Sequence, residues 1–225
     1  MNTPRRRGGR LGTCQAAASA CLVALVAVTA SADPAFEPKT LLARVAQPPP
    51  ATIRYTEVRF SGLLTQALVV SGQLSYLGPG RFDREVQTPY RERSSIRDGE
   101  VVVERDGQPA AHFSLRRAPA LEGMLATFGA LLSGDTTQLD RRFDVTLSGD
   151  DRAWRLQLAP RSSSASKWLS AITIDGSGAT PRCLTLVEPD GDRGVMLLGP
   201  LADEPLPVPT DPESLSTRCA AHPRD

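Results

Sequence analysis

Aromatic residues make up only 5% of the 225-residue chain, histidine occurs twice and cysteine four times. That inventory leaves little for a metal centre or an imidazole-driven active site. Gly-x-Ser-x-Gly, His-Glu-x-x-His, Cys-x-x-Cys and a phosphate-cradling glycine loop are all missing. No catalytic residue, metal site or cofactor is therefore assigned. Charge of one sign is not in excess, with 26 basic against 25 acidic side chains, which argues against a nucleic-acid partner held through phosphates. Beyond the N-terminus no apolar run reaches 18 residues, so a polytopic membrane protein is excluded.

What the N-terminus does carry reads as an export signal. Arg5, Arg6, Arg7 and Arg10 form a positive region, residues 16–28 are uncharged and rich in Ala, Val and Leu, and Ala30-Ser31-Ala32 supplies small residues for cleavage after Ala32. The expectation is ordinary secretion to the periplasm of a monomeric protein. Removing residues 1–32 takes away four arginines and no acid, leaving 22 basic against 25 acidic groups. Only Cys183 and Cys219 survive, and in an oxidising compartment an isolated pair is most simply a disulfide.

Residues 36–47 have helical spacing, with Leu41, Leu42, Val45 and Ala46 on one face and Pro48-Pro49-Pro50 as a stop. The period then becomes two. Strands are expected over 52–60, 68–76, 81–87, 90–97, 100–105 and 110–116, with Asp98-Gly99 and Asp106-Gly107 as hairpin turns. A helix follows over 119–132, with Leu121, Met124, Leu125, Phe128 and Leu132 on one face and small residues such as Gly123, Gly129 and Ala130 opposite. Five more strands centre on Val145, Leu156, Ile172–Ile174, Leu184 and Val195, and the proline-rich residues 200–225 read as an extended tail. Eleven antiparallel strands with two amphipathic helices make a mainly β (α+β) fold, whose curled sheet needs its hollow face covered.

The order of several short motifs then resembles the outer-membrane lipoprotein carrier (LolA-like) family. Ser71-Gly72-Gln73-Leu74, Pro79-Gly80-Arg81-Phe82, Pro89-Tyr90 and Asp98-Gly99 run in the family's order, and Leu131-Leu132, Phe143-x-Val145 and Trp154-x-Leu156-x-Leu158-x-Pro160 are similar to its second half. The resemblance covers about residues 36–199. It implies a domain over 33–199 built as an unclosed antiparallel β-barrel, with helices as a lid over an apolar cavity. It also implies an acylated lipoprotein or lipid cargo, an inner-membrane release complex and an outer-membrane receptor.

On that reading the cavity would be lined by Leu68, Val70, Leu74, Tyr76, Phe82, Phe113, Leu121, Met124, Leu125, Phe128, Leu132, Trp154, Leu156, Ile172 and Ile174. Arg81, Arg84, Arg91 and Arg93, with Arg97 beyond them, form a candidate docking patch for an acidic partner or anionic headgroups. Two other classes stand beside the carrier. One is a protein-interaction or sensory module on the same half-barrel. The other is a hydrolase or transferase of envelope lipid, which would have to use His112.

Overall fold

Pro38 opens a short helix, α1 (Pro38–Val45), whose Leu41, Leu42 and Val45 are buried and which stops at Ala46, ahead of the three prolines. The computed structural model describes residues 36–221. The expected export signal, its cleavage point and His222 lie outside them.

Six strands follow: β1 (Ala51–Phe60), β2 (Leu68–Gly78), β3 (Arg81–Thr88), β4 (Glu92–Arg97), β5 (Glu100–Arg105) and β6 (Ala111–Ser114). The β4–β5 hairpin turns through Asp98 and Gly99 with φ of 49° and 86°, the positive pair that a type I′ turn demands. After a 3-10 turn at Leu115–Arg117 come α2 (Pro119–Ser133) and α3 (Thr137–Arg142). The second half holds β7 (Phe143–Gly149), β8 (Trp154–Pro160), β9 (Ala171–Ser177), β10 (Thr180–Val187) and β11 (Arg193–Leu198).

All eleven strands join one antiparallel sheet in the order β6-β5-β4-β3-β2-β1-β11-β10-β9-β8-β7. The edges β6 and β7 do not pair, so the barrel stays open, as the resemblance implies. Register fixes the inner, helix-covered face. Tyr55 stands opposite Gly72 and Leu198, and Phe82 opposite Tyr76 and Ile96. Counting by twos from these anchors places Ile53, Glu57 and Arg59 inward on β1, Val70 and Leu74 on β2, Arg84 and Val86 on β3, and Glu92 and Ser94 on β4. Leu184 and Leu186, Ile172 and Ile174, and Leu156 and Leu158 continue that face across β10, β9 and β8.

α2 sits deeper on the sheet than its amphipathic pattern implies. Gly123, Thr127, Ala130 and Leu131 are buried along with Leu125 and Phe128, while Leu121, Met124 and Leu132 are only half-buried. The small residues allow this close approach. A Cβ on Gly123 would stand 3.1 Å from Leu169 Cδ2, and one on Gly129 would stand 3.6 Å from Phe82 Cζ. Thr127 Oγ1 satisfies itself by donating to Gly123 O at 2.8 Å. Gly134, in the left-handed region at φ 73°, ends the helix by donating to Ala130 O.

The C-terminal segment is not the extended tail that its prolines suggest. It forms a 3-10 turn at Gly199–Asp203 and a further helix, α4 (Pro212–Ala220). Asp211 caps that helix by accepting from Ser214 N at 2.8 Å while Ser214 Oγ accepts from Asp211 N, a reciprocal box that outweighs the prolines nearby. Leu215 and Cys219 pack on the outer face of the sheet with Val58, Val195, Leu197 and Leu201. A Cys183–Cys219 disulfide, with Cα atoms 5.7 Å apart, ties α4 to β10.

Candidate functional site

Where the N-terminal half of α2 crosses β1, β2 and β4, the helix and sheet leave a cleft of about 310 Å³. Its apolar wall is Leu68, Val70, Leu74, Ile96, Leu121, Met124, Leu125 and Leu186. A second space of about 410 Å³ adjoins it, sharing Glu57, Arg59, Leu68, Met124, Leu186 and Glu188 and adding Leu63, Leu64, Leu184, Arg193 and Met196. Leu63, on the turn after β1, is 95% exposed at this mouth. A third pocket of about 160 Å³ lies under the C-terminal half of α2, between Val45, Ile53, Leu74, Phe128, Leu131, Leu132 and Leu198. Leu74 borders both the first and the third, so it forms part of the wall between them.

The expected lining residues divide accordingly. Leu68, Val70, Leu74, Leu121, Met124 and Leu125 face the cleft, and Phe128 and Leu132 face the third pocket. Tyr76 and Phe82 are buried against each other, ring centroids 5.3 Å apart. Trp154, Leu156, Ile172 and Ile174 lie in the packed core of the other half-sheet, and Phe113 is half-buried at the β6 edge. None of these last seven borders the three spaces described.

A charged row crosses the same inner face. Arg84 donates through Nη2 to Glu57 Oε2 at 2.8 Å, its Nη1 lies 3.6 Å from Glu92 Oε1, and its guanidinium stacks 5.1 Å from the Tyr55 ring centroid. Arg105 closes the row on Glu92. Burial opposes the Arg84 charge, but Glu57, Tyr55 and Glu92 outweigh it and hold the guanidinium above its ordinary value. Burial also pushes the Tyr55 hydroxyl up to about 12. Sequence proximity groups the arginines of β3 and β4, whereas strand parity separates them: Arg84 is two residues from inward Phe82.

The four arginines of the candidate patch therefore do not share a face. Arg81, Arg93 and Arg97 project outward, where Arg93 and Arg97 reach Asp83 at 3.2 and 2.7 Å. Arg91 and Arg93 border a polar groove of about 790 Å³ along the β3–β4 and β5–β6 hairpins, lined also by Glu85, Glu104, Arg105 and Asp106. It is larger than the α2 cleft, but its charged walls do not suit an acyl chain. His112 is exposed on β6, across from Val102 and facing away from the cleft. Among the described residues no three His, Cys, Asp or Glu side chains come together to hold a metal ion, and no helix is long and apolar enough to cross a membrane.

The family model described as outer membrane lipoprotein carrier protein LolA-like matches residues 30–222. Among solved structures, the chain is similar to the LolA superfamily protein NE2245 from Nitrosomonas europaea, at 8% identity and a TM-score of 0.40, over 76% of this chain and 95% of that one. It is also similar to a chain of the Pseudomonas aeruginosa MucA/MucB complex (14%, TM-score 0.38, 72% and 55%) and to LprF from Mycobacterium bovis (8%, TM-score 0.32, 75% and 94%). No curated protein matches. The chain belongs to the LolA-like family of outer membrane lipoprotein carrier proteins.

Proposed function

We propose that the protein is a periplasmic carrier that holds the acyl chain of a lipoprotein or related lipid in the cleft between α2 and the inner face of the sheet. It would receive that cargo from an inner-membrane release complex and pass it to a receptor at the outer membrane. The observation that carries this reading is the cleft itself, where Val70, Leu74, Ile96, Leu121, Met124 and Leu125 present apolar surface beside a helix. Each methylene moved there from water contributes about 0.8 kcal/mol without any directional contact, which suits a cargo that must also be released. The chemistry is binding and not bond-making.

Native mass spectrometry with lipid extraction, on protein secreted by a Gram-negative host expressing the full chain, tests the reading. A single acylated species per chain is expected. A protein that stays free of ligand when offered phospholipid, fatty acid and triacylated lipopeptide overturns it. The charged groove along the hairpins favours a second reading, a protein-interaction module, for which a polypeptide and no lipid would co-purify.

A further inference from the structure

Large apolar side chains are left in water at one end of the sheet. Leu63, Leu64 and Leu68 are 95%, 42% and 39% exposed, and Trp168 is 57% exposed. Leu63 and Leu64 stand on the β1–β2 connection, Leu68 opens β2, and Trp168 stands on the β8–β9 connection. Antiparallel pairing brings both connections and the β10–β11 turn to the same rim, because β1, β8 and β10 all finish there. Hydrogen bonds join the three. Gly62 N donates to Asp192 Oδ1 at 3.1 Å, and Ser170 N donates to Val187 O at 2.8 Å.

The exposed side chains sit on ordered backbone. Leu63 N donates to Ser61 Oγ, Leu64 N to Ser61 O and Trp168 N to Ala165 O. Leu169, next to Trp168, is buried against α2, with its Cδ2 3.1 Å from where a Cβ on Gly123 would stand. Folding thus holds Leu63, Leu64 and Trp168 outward. A lone exposed hydrophobic is ordinary, but a rim of them marks contact with something outside the chain.

Continuity with the cleft points to a bilayer. Leu63, Leu64 and Leu68 border the 410 Å³ space that adjoins the α2 cleft, so a bilayer touching this rim would meet the cleft without intervening water. An acyl chain crossing there keeps the transfer free energy that each methylene would forfeit in water. Trp168 has the amphipathic ring that settles at a membrane–water boundary, and exposed Lys167 beside it has a long stem that keeps its charge in the headgroup layer. The rim does not favour anionic lipid. Glu188, Asp190 and Asp192 on the β10–β11 turn offset Arg59, Arg161 and Lys167.

We propose that this rim is a bilayer-contact surface, with Leu63, Leu64 and Trp168 entering the interfacial layer of a zwitterionic leaflet and the cleft opening against it. The choice of a bilayer rests on the carrier reading, and the proposal adds the surface by which the carrier meets a membrane.

The test uses protein secreted from the full chain, stripped of lipid and floated with vesicles of phosphatidylcholine, with and without phosphatidylglycerol, at low and high salt. Flotation with phosphatidylcholine alone is expected, and neither phosphatidylglycerol nor salt should change the affinity by more than about twofold. Trp168 is the chain's own reporter, since its other tryptophan, Trp154, is buried. Its emission should shift to the blue on the vesicles and be quenched by brominated lipid. Trp168→Ser and the double variant Leu63→Asp, Leu64→Asp should each weaken flotation at least about tenfold. Retained sheet circular dichroism shows that each variant is folded, and if the double variant unfolds, Trp168→Ser and the quenching of the wild-type chain decide. Fatty-acid binding is measured in parallel, and Trp168→Ser should leave it unchanged, because Trp168 borders none of the three spaces. Wild-type protein that binds fatty acid but floats with no vesicle overturns the bilayer contact, leaves the carrier standing and gives the rim to a protein partner. Flotation that needs phosphatidylglycerol and disappears in salt overturns it in favour of a surface held by charge. Variants that float like wild type overturn the assignment to this rim. Flotation without fatty-acid binding keeps the contact and overturns the carrier reading.

Discussion

The Arg84 guanidinium lies 5.1 Å from the Tyr55 ring centroid and at the same time holds the carboxylates of Glu57 and Glu92, on two strands that do not touch each other in the sheet. Arg84→Leu removes the shared cation and leaves both acids facing a partly enclosed wall. The expected loss is about 2–3 kcal/mol, below that of a fully buried pair because some water reaches all three groups. Urea unfolding measures it, and adding Glu57→Gln and Glu92→Gln should recover most of the loss. A single-variant cost near zero would mean that the row is solvated.

Glu188 and Asp83 should give opposite pH signatures. Burial raises the Glu188 carboxyl, Asp190 and Asp192 add to this, and Arg59 only partly offsets it. A raised folded pKa means that its stabilising share is complete below the unfolded value near 4.5 and is lost as pH rises through the folded value. Glu188→Gln should therefore be more stable than wild type at pH 7 and indistinguishable from it at pH 3.

Burial also works to raise Asp83, but hydrogen bonds from Arg97, Arg93 and Ser95 prevail and hold it below its usual 3.8. Its stabilising share is present above that value and fades as pH falls through the folded pKa. Asp83→Asn should lower the urea midpoint at pH 7 and have no effect once the carboxyl is protonated. Equal losses at both pH values would assign the effect to packing.

Phe128 is buried in the core between α2 and the sheet, so Phe128→Asp is expected to unfold the chain and not merely to empty a site. Met124, half-buried over the cleft, is the better probe. Met124→Trp should fill the space, weaken acyl-chain binding about tenfold or more, and leave the thermal midpoint unchanged or raised. Unaltered binding would place the chain elsewhere.

A methyl on Gly176 would fall 2.1 Å from Trp154 Cζ2, forcing the indole away from the carbonyl of Gly178 to which its Nε1 donates at 3.0 Å. Gly176→Ala should cost about 1–3 kcal/mol. Gly62→Ala, with nothing within 4 Å, is the matched control and should be neutral.

Local signals carried most of the fold into the sequence. Alternation found the eleven strands, Asp98-Gly99 marked a hairpin whose turn needs two positive φ values, and the 3.6-residue period found α1 and α2. α3 escaped because six residues are too few for a period to register. α4 escaped because its prolines read as extended chain, although Asp211-Pro212 followed by Ser214 is a helix-start signal. The site was legible only in part. Of the residues expected around a cavity, Leu68, Val70, Leu74 and the N-terminal residues of α2 border the α2 cleft, but an alternation scan for apolar residues passes over Glu57, Arg84 and Glu92 beside them. Trp154, Leu156, Ile172 and Ile174 were assigned to the cavity because sequence cannot show that Gly123 lets α2 descend onto their half of the sheet and fill it.

The strand order also sets how the chain is assembled in time. Every pairing joins strands adjacent in sequence except β1 with β11, which brings Tyr55 beside Leu198. Two meanders, β1–β6 and β7–β11, can each zip from their own short hairpins at little loop-closure cost, while the central seam must wait for a closure spanning more than half the chain. The middle of the finished sheet is therefore expected to be the last ladder to form, and slowing its closure should slow folding without changing the rate at which either meander appears.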